Sequence, residues 1–127
     1  AIEEIGAERI GHGVRVMEDE SIVALARERQ TAFEVCITSN YQSGVFESLE
    51  THPLMQMLEA GLNVTINTDD PSLSRINLSH EYYAVCEDLK MPQNTLKRRI
   101  VAAARASFID ETEKGKLVKQ LEKDLKL

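Results

Sequence analysis

Three short apolar runs alternate with two segments of helical periodicity, and this alternation constrains the fold more than any other feature of the chain. The apolar runs lie at 9–13, 32–37 and 62–66, and the helical segments lie at 21–30 and 51–60. Strand, helix, strand, helix, strand with short connections is typical of βαβ units, in which the strands lie parallel in one sheet. We therefore predict an α/β fold.

The rest of the chain has a helical pattern. Asp19 is placed to cap the helix at 21–30, and Gly6 is placed to end a short helix at the start of the chain. Three further helices are predicted at 79–89, 93–108 and 112–125, and the last two carry apolar stripes typical of packing faces. The polar residues 38–40 are predicted to form a turn after the second strand. No linker or repeat divides the chain, so we predict one domain over residues 1–127.

The net charge and the cysteine content limit the classes of partner that the chain is expected to bind and the cellular compartment in which it is expected. A formal net charge of −6, without any cluster of Lys or Arg, opposes binding to nucleic acid or to anionic membranes. No stretch approaches the roughly 18 apolar residues of a membrane span. Cys36 and Cys86 are far apart and lack CxxC spacing, so we expect two free thiols in a reducing compartment, the cytoplasm.

The sequence NTDDP at 67–71 places Asp69 and Asp70 side by side where the third apolar run ends. A period of two, continued from Thr65, puts Asp69 on the polar face of this strand, and Pro71 favours a turn directly after the pair. Two neighbouring carboxylates repel one another in a partly dry site unless a cation or hydrogen-bond donors lie nearby. The pair therefore indicates a metal site.

Polar residues also follow the other two strands. His12, between Gly11 and Gly13, lies at the end of the first run, and residues 38–40 follow the second. Catalytic groups gather at the carboxyl ends of the strands in parallel α/β proteins, because the loops there converge over one face. His12 is therefore a candidate catalytic group, although a lone histidine of this kind is more often a turn or packing residue. The two glycines would let a substrate approach the imidazole closely.

The residues alone leave other functions open. Gly11 and Gly13 could begin a dinucleotide-binding loop, but Val16 occupies the position of its third glycine. Asp69 could instead accept a phosphoryl group while Asp70 helps to bind Mg²⁺, although no downstream lysine or second acidic pair completes such a site.

Three more ionisable residues have structural explanations. His52 is expected to be a capping or surface group, and His80 a solvated one. Glu34 lies in the middle of the second strand, where an unpaired buried carboxylate would be costly, so we expect it to face a cationic partner or solvent.

The chain resembles the adenosine deaminases over essentially its whole length, because four motifs occur in the order and approximate spacing of that family. The motifs are RIGHG at 9–13, CITSN at 36–40, THPL at 51–54 and NTDDP at 67–71. The segments at 77–83 and 104–108 are similar to the C-terminal helices of the same family. The resemblance implies that the chain is the C-terminal part of a (β/α)₈ TIM barrel, consisting of three βα units (strands six to eight) and the closing helices. It also implies a structural partner, the N-terminal barrel segment with strands one to five.

The same resemblance implies a zinc enzyme that converts adenosine or deoxyadenosine to the inosine analogue and releases ammonia. Asp69 would be the carboxylate ligand of zinc and would also contact the attacking hydroxide. Asp70 would hold the purine through a nitrogen of its imidazole ring, and His12 would orient or deprotonate the zinc-bound water. Zinc suits this reaction because it lowers the pKa of bound water to roughly 7. The implied small-molecule partner is thus a purine nucleoside.

The zinc site that the resemblance implies is incomplete in these residues. The HxH pair, the third zinc histidine and the glutamate of a His-Ala-Gly-Glu motif are all absent, so we expect residues 1–127 alone to be inactive. The family usually has proline at the position of Ile37. Two alternatives stay open: an adenine or other purine deaminase of the same superfamily, and a non-catalytic purine-binding or interaction remnant. Asn67 and Thr68, together with the run at 48–53, favour adenosine.

Overall fold

The three predicted strands form one parallel sheet. In the computed structural model, which describes residues 1–127, they are β1 (Arg9–Gly11), β2 (Ala32–Val35) and β3 (Asn63–Ile66). The strands lie in chain order, with Arg9 beside Ala32 and Ala32 beside Asn63. Neighbouring parallel strands need a crossover connection, and helical segments lie in both crossovers. The prediction of an α/β fold is confirmed.

Helices make up most of the remaining chain. They are α1 (Ile2–Ile5), α2 (Glu20–Arg29), α3 (Ile37–Gln42), α4 (Leu54–Glu59), α5 (Pro71–Ser74), α6 (Leu78–Glu87), α7 (Gln93–Ala106) and α8 (Glu111–Asp124). Two 3₁₀ helices lie at Val14–Glu18 and Leu49–Thr51. The ends of α2, α6, α7 and α8 lie within two residues of the predicted ends. None of the helices is both long enough and apolar enough to cross a membrane.

Local signals fix several of these helix ends as predicted. Asp19 accepts hydrogen bonds from the backbone N–H groups of Ser21 and Ile22, and so caps α2. Gly6 ends α1 in the left-handed conformation with φ 62°. Short polar side chains and glycine thus set these helix boundaries, and tertiary contacts are not required to explain them.

One face of the sheet carries the hydrophobic core. Phe33, Val35 and Val64 point to this face and are at most 1% exposed. The buried apolar side chains that the helices add to the same cluster include Ala26, Leu54, Met57, Val85 and Leu96. Burial of these side chains holds the helices against this face of the sheet, and the opposite face is left to polar residues.

The opposite face of the sheet carries Arg9, Glu34 and Thr65, one from each strand. Glu34 Oε1 lies 3.0 Å from Arg9 Nε and forms an ion pair, although the Nε–H has no hydrogen-bond partner. The expectation that Glu34 faces a cation or solvent is confirmed. The Arg9 guanidinium also stacks on Phe108, 4.0 Å from the ring centroid. This face is thus charged near its amino edge and contains Thr65 as a buried polar residue.

Two predictions about local structure are wrong, and a third is confirmed only in part. Residues 38–40 lie in α3 and not in a turn, because tertiary contacts with buried polar side chains of α6 and of the segment before α4 override the turn preference. The sequence pattern also missed α5, in which Pro71 is the first residue. The apolar stripe of α8 packs against α7, as predicted, but none of its residues is fully buried and Leu117 is 39% exposed.

Candidate active site

The side chains of His12 and Asp69 meet at the carboxyl edge of the sheet. His12 follows β1 and donates its backbone N–H to the Glu34 carbonyl at 3.0 Å, which extends the strand pairing by one residue. Asp69 lies three residues beyond the end of β3. The distance between His12 Nε2 and Asp69 Oδ2 is 3.6 Å, which is too long for a hydrogen bond but allows an ion pair when the imidazole is protonated. The structure therefore brings together two residues that lie 57 positions apart in the sequence.

Ser39 contacts the same carboxylate oxygen. Its hydroxyl donates a hydrogen bond of 2.7 Å to Asp69 Oδ2. A hydroxyl donor stabilises the charged form of a carboxylate and fixes its orientation. The sequence pattern predicts a polar strand end at residues 38–40, but it does not distinguish Ser39 from its two neighbours. The role of this serine depends on α3, whose helical turn aims the side chain across to Asp69.

A buried histidine holds α3 in place. His52 is 5% exposed, and its Nε2–H donates to Asn40 Oδ1 at 2.9 Å while its Nδ1 accepts the backbone N–H of Leu54 at 3.1 Å. Burial lowers the pKa of His52 to about 4, so the ring is neutral near pH 7. The expectation that His52 caps a helix is confirmed by its bond at the start of α4, whereas a surface position is wrong.

The contacts of Asp70 differ from those of Asp69 and indicate a different role. Its Oδ1 accepts the backbone N–H of Leu73 at 3.0 Å and caps α5. The residue is exposed, and its second carboxylate oxygen makes no hydrogen bond within the chain. The two acidic residues are therefore distinct in geometry. One oxygen of Asp70 remains free to contact a ligand.

The period of two does not explain why Asp69 faces His12. The strand β3 ends at Ile66, and the backbone of Asp69 has a positive φ, so the alternation of the strand does not extend to it. The carboxylate reaches the polar side through the turn that precedes α5. The expected direction of Asp69 is found, but the physical reason given by the sequence pattern is wrong.

The glycines beside His12 do not have the same role. A Cβ at Gly13 would lie 2.7 Å from Phe33 Cδ1 and 2.8 Å from Ile10 Cγ2, so core packing excludes a side chain there. A Cβ at Gly11 would meet nothing within 4 Å. A side chain would therefore fit at Gly11 but not at Gly13, where core packing and a φ of 71° both require glycine.

A cavity of about 530 Å³ lies between these strand ends, and His12, Ser39 and Asp69 line it. This volume is within the usual range for small-molecule sites, roughly 300–1,000 Å³. Another cavity, of about 400 Å³, lies at the amino ends of the strands beside Arg9 and Phe108. The polar strand ends open into the first cavity, and we assign the candidate site to it.

Cys36, at the start of α3, is not a candidate nucleophile. Burial, together with the negative charges of Asp69, Glu81 and Glu34, raises the pKa of its thiol to about 12. The thiol therefore stays protonated near pH 7, whereas a cysteine nucleophile acts as the thiolate. Both cysteines are free, as expected.

The arrangement fits a metal ion only in part. Asp69 offers a carboxylate and His12 an imidazole, and the Nδ1 atom of His12 is buried without a hydrogen-bond partner. Within residues 1–127, no group of three or more His, Cys, Asp or Glu side chains could hold a metal ion. Zinc sites in proteins have three or four protein ligands. The chain thus supplies at most two donors of the appropriate chemistry, and the others would have to come from outside these residues.

Comparison with known proteins gives a consistent picture. The family model described as adenosine deaminase matches residues 1–124. An adenosine deaminase from Klebsiella pneumoniae is 37% identical over 123 residues, which is 97% of this chain and 37% of the relative. The chain therefore spans little more than a third of the length of the curated relatives that it matches.

Solved structures share the fold. The chain is similar to an adenine deaminase from Arthrobacter aurescens, with a TM-score of 0.93 and 29% identity over all of this chain and 39% of the other. An amidohydrolase from Burkholderia ambifaria, solved with bound Zn, has a TM-score of 0.81 and 23% identity, over 98% of this chain and 37% of the other. The arrangement of strands and helices in residues 1–127 is therefore one that larger proteins contain.

Proposed function

Because the chain belongs to the adenosine deaminase family, we propose that residues 1–127 form one side of the active site of a zinc-dependent adenosine deaminase. One observation carries this proposal: His12, Ser39 and Asp69 meet beside a cavity at the carboxyl edge of a parallel sheet, as expected for catalytic groups in this class of fold. The reaction is the hydrolytic conversion of adenosine or deoxyadenosine to the inosine analogue with release of ammonia.

The proposed architecture is the C-terminal part of a (β/α)₈ barrel, in which the three strands are strands six to eight. The sheet has two unpaired edges, along β1 and β3, and its hydrophobic core lies on only one of its faces. Parallel sheets are normally covered on both faces, and a barrel pairs every edge. The N-terminal barrel segment, strands one to five, is the partner that would pair these edges. The chain covers 37% of an adenosine deaminase relative, which agrees with three strands of eight.

Each site residue has a separate role in this proposal. Asp69 is a zinc ligand, and the Ser39 hydroxyl fixes the orientation of its carboxylate. His12 orients the attacking water and accepts its proton at Nε2, the ring nitrogen that faces Asp69. The free oxygen of Asp70 holds the purine through a nitrogen of its imidazole ring. Zinc, when bound, makes water acidic enough to act as a nucleophile near neutral pH.

Adenine is the second candidate substrate. The structural likeness to an adenine deaminase, with a TM-score of 0.93, favours it, whereas the curated relatives at 36–38% identity are adenosine deaminases. The two substrates differ only in the sugar, so the discriminating contacts lie where a ribose would leave the site. We place adenosine first because the sequence relationship to the adenosine deaminases is closer.

The proposal also includes a location and excludes two classes of partner. Two free cysteines fit the reducing cytoplasm. A net charge of −6 opposes association with nucleic acid and with anionic membrane surfaces. The partners in this proposal are a purine nucleoside and the N-terminal barrel segment.

A substrate panel on the complete enzyme tests the function. Ammonia release from adenosine, deoxyadenosine and adenine would be measured before and after removal of metal by a chelator, and again after zinc is restored. We expect deamination of adenosine that is lost with the metal and recovered with zinc. Faster deamination of adenine would assign the second candidate, and purine binding without ammonia release would assign the non-catalytic alternative.

A further inference from the structure

Glu81 is a buried acidic residue that the proposed reaction does not use. It lies in the first turn of α6 and is 0% exposed. Its Oε2 accepts the backbone N–H of Thr38 in a long hydrogen bond of 3.4 Å, whereas its Oε1 has no partner. The hydroxyl of Thr38 is also buried without a partner. The first turn of α3 and the first turn of α6 are thus joined through this carboxyl group.

Packing alone does not account for an acid at this position. The neighbouring buried positions of α6, Ala84 and Val85, are apolar, and no cation forms an ion pair with Glu81. Burial raises its pKa, and the hydrogen bond from the Thr38 N–H acts against that rise. A protein in which apolar side chains replace buried ionic groups is often as stable as the original protein, or more stable. The acidic group therefore supplies an interaction that a hydrocarbon side chain cannot.

The hydrogen bond that Glu81 accepts connects this residue to the candidate site through α3. Thr38, whose N–H it accepts, precedes Ser39 in α3, and the Ser39 hydroxyl donates to Asp69 Oδ2 at 2.7 Å. On the other side of α3, Asn40 is bonded to His52. The short helix is thus held by one buried polar side chain on each side of Ser39. A shift of its first turn would move the Ser39 hydroxyl relative to the carboxylate.

We propose that Glu81 is a positioning residue for the active site: by holding the Thr38 N–H, it fixes the first turn of α3 and so keeps the Ser39 hydroxyl on Asp69. This inference rests on the proposed function only for its effect on catalysis. The positioning of α3 is a separate statement about the fold and has its own measurement.

Two substitutions of Glu81 in the complete enzyme separate positioning from mere burial. Glu81→Gln keeps a carbonyl oxygen for the Thr38 N–H, while Glu81→Leu fills a similar volume without an acceptor. We expect kcat/KM for the purine substrate to fall on the order of tenfold in Glu81→Leu, and to stay within about threefold of wild type in Glu81→Gln. Glu87→Gln, an exposed change on the same helix, is the matched control and should leave activity unchanged.

A double-mutant cycle tests the route through Ser39. Ser39→Ala removes the hydroxyl that contacts Asp69, and we expect a loss of kcat/KM similar to that of Glu81→Leu. If both act through the same hydrogen bond, Ser39→Ala combined with Glu81→Leu should be no worse than either alone. Losses that multiply in the double variant would overturn the proposal. So would wild-type kcat/KM in folded Glu81→Leu enzyme.

Amide hydrogen exchange gives a readout that is independent of turnover. The exchange rate of the Thr38 amide should rise on the order of tenfold in Glu81→Leu and stay unchanged in Glu81→Gln and Ser39→Ala. An unchanged rate in Glu81→Leu would overturn the positioning role even if activity fell. If wild-type enzyme did not deaminate purines, the proposed function would fail, whereas this exchange measurement would still decide the role of Glu81.

Discussion

His12 and Asp69, the two residues whose side chains meet at the candidate site, both have left-handed backbones, with φ angles of 57° and 60°. Residues with a Cβ rarely adopt this conformation, although Asn, Asp and His tolerate it better than most. Each such residue costs roughly 1 kcal/mol or more, and residues of this kind cluster at functional sites. The shared conformation also determines which substitutions test the site without adding backbone strain.

His12→Asn in the complete enzyme removes the imidazole but keeps a residue that tolerates the positive φ. We expect kcat to fall on the order of 10²-fold or more, since a positioned acid–base group contributes that much, while bound zinc is retained. Steady-state kinetics normalised to folded, zinc-loaded enzyme measure the effect. His12→Ala should show the same loss of kcat with a lower Tm, because alanine adds strain at this φ. A near-wild-type kcat in His12→Asn would remove the residue from the mechanism.

Asp69 and Asp70 should have separable functions. Asp69→Asn keeps the acceptor for Ser39 and tolerates the backbone conformation, yet it removes the charge, so we expect zinc affinity to fall by about 10²-fold or more and deamination to be lost. Asp70→Asn retains a side-chain cap for α5, so we expect full zinc occupancy and a higher KM. Metal analysis of both purified variants decides the assignment. Equal loss of zinc in the two would show that the roles are wrongly divided.

His52 should make the fold sensitive to acid. Its pKa is lowered from 6.5 to about 4, so the unfolded chain binds a proton more tightly than the folded one between these values. The stabilising contribution of the neutral His52 ring is therefore fully present above pH 6.5. As the pH falls towards 4, the free energy of unfolding decreases by up to about 3 kcal/mol. NMR titration of the ring tests the pKa, and denaturant unfolding at several pH values tests the linkage. His80→Gln, at an exposed position, is the control; a His52 ring that titrates near 6.5 would contradict the expectation.

Residues 1–127 produced alone should be poorly stable. Only 27 of the 127 residues are buried, and the unpaired edges of β1 and β3 can pair with other copies of the chain. We expect a broad thermal transition and concentration-dependent aggregation, measured by circular dichroism and light scattering. A cooperative transition of the monomer, with amide-exchange protection across all three strands, would show that the isolated sheet is self-sufficient.

The sequence predicted those elements that local periodicity and capping determine. The three strands, the parallel order and the ends of α2 and α7 follow from the spacing of apolar residues and from caps such as Asp19. His12 and Asp69 were found for a similar reason, because strand ends can be located from the strands. The pattern therefore identified both members of the central pair before any contact was known.

A local sequence pattern does not predict polar contacts between segments that are far apart in the chain. The helical state of α3 depends on bonds from His52 and Glu81, and the sequence alone gave no sign that these residues would contact it. One signal did exist: Glu81 falls between apolar positions of α6 at helical spacing, where a charged residue is unusual. The role of Gly13 was also missed, because its exclusion of a side chain depends on Phe33 from the neighbouring strand.

The contact of Arg9 with the end of α7 and with Phe108 has a consequence for the order in which the molecule assembles. The Arg9 guanidinium donates to the Ala106 carbonyl at 3.4 Å, across 97 positions of sequence, and stacks on Phe108. Such a contact closes a long loop and must await the synthesis of the later residues. During translation β1 therefore emerges long before the residues that secure it, and its amino edge is completed only after α7 has left the ribosome. Substitution of Phe108 would remove the stacking contact with Arg9, so that this end of β1 would be less well secured even after the later residues have been made.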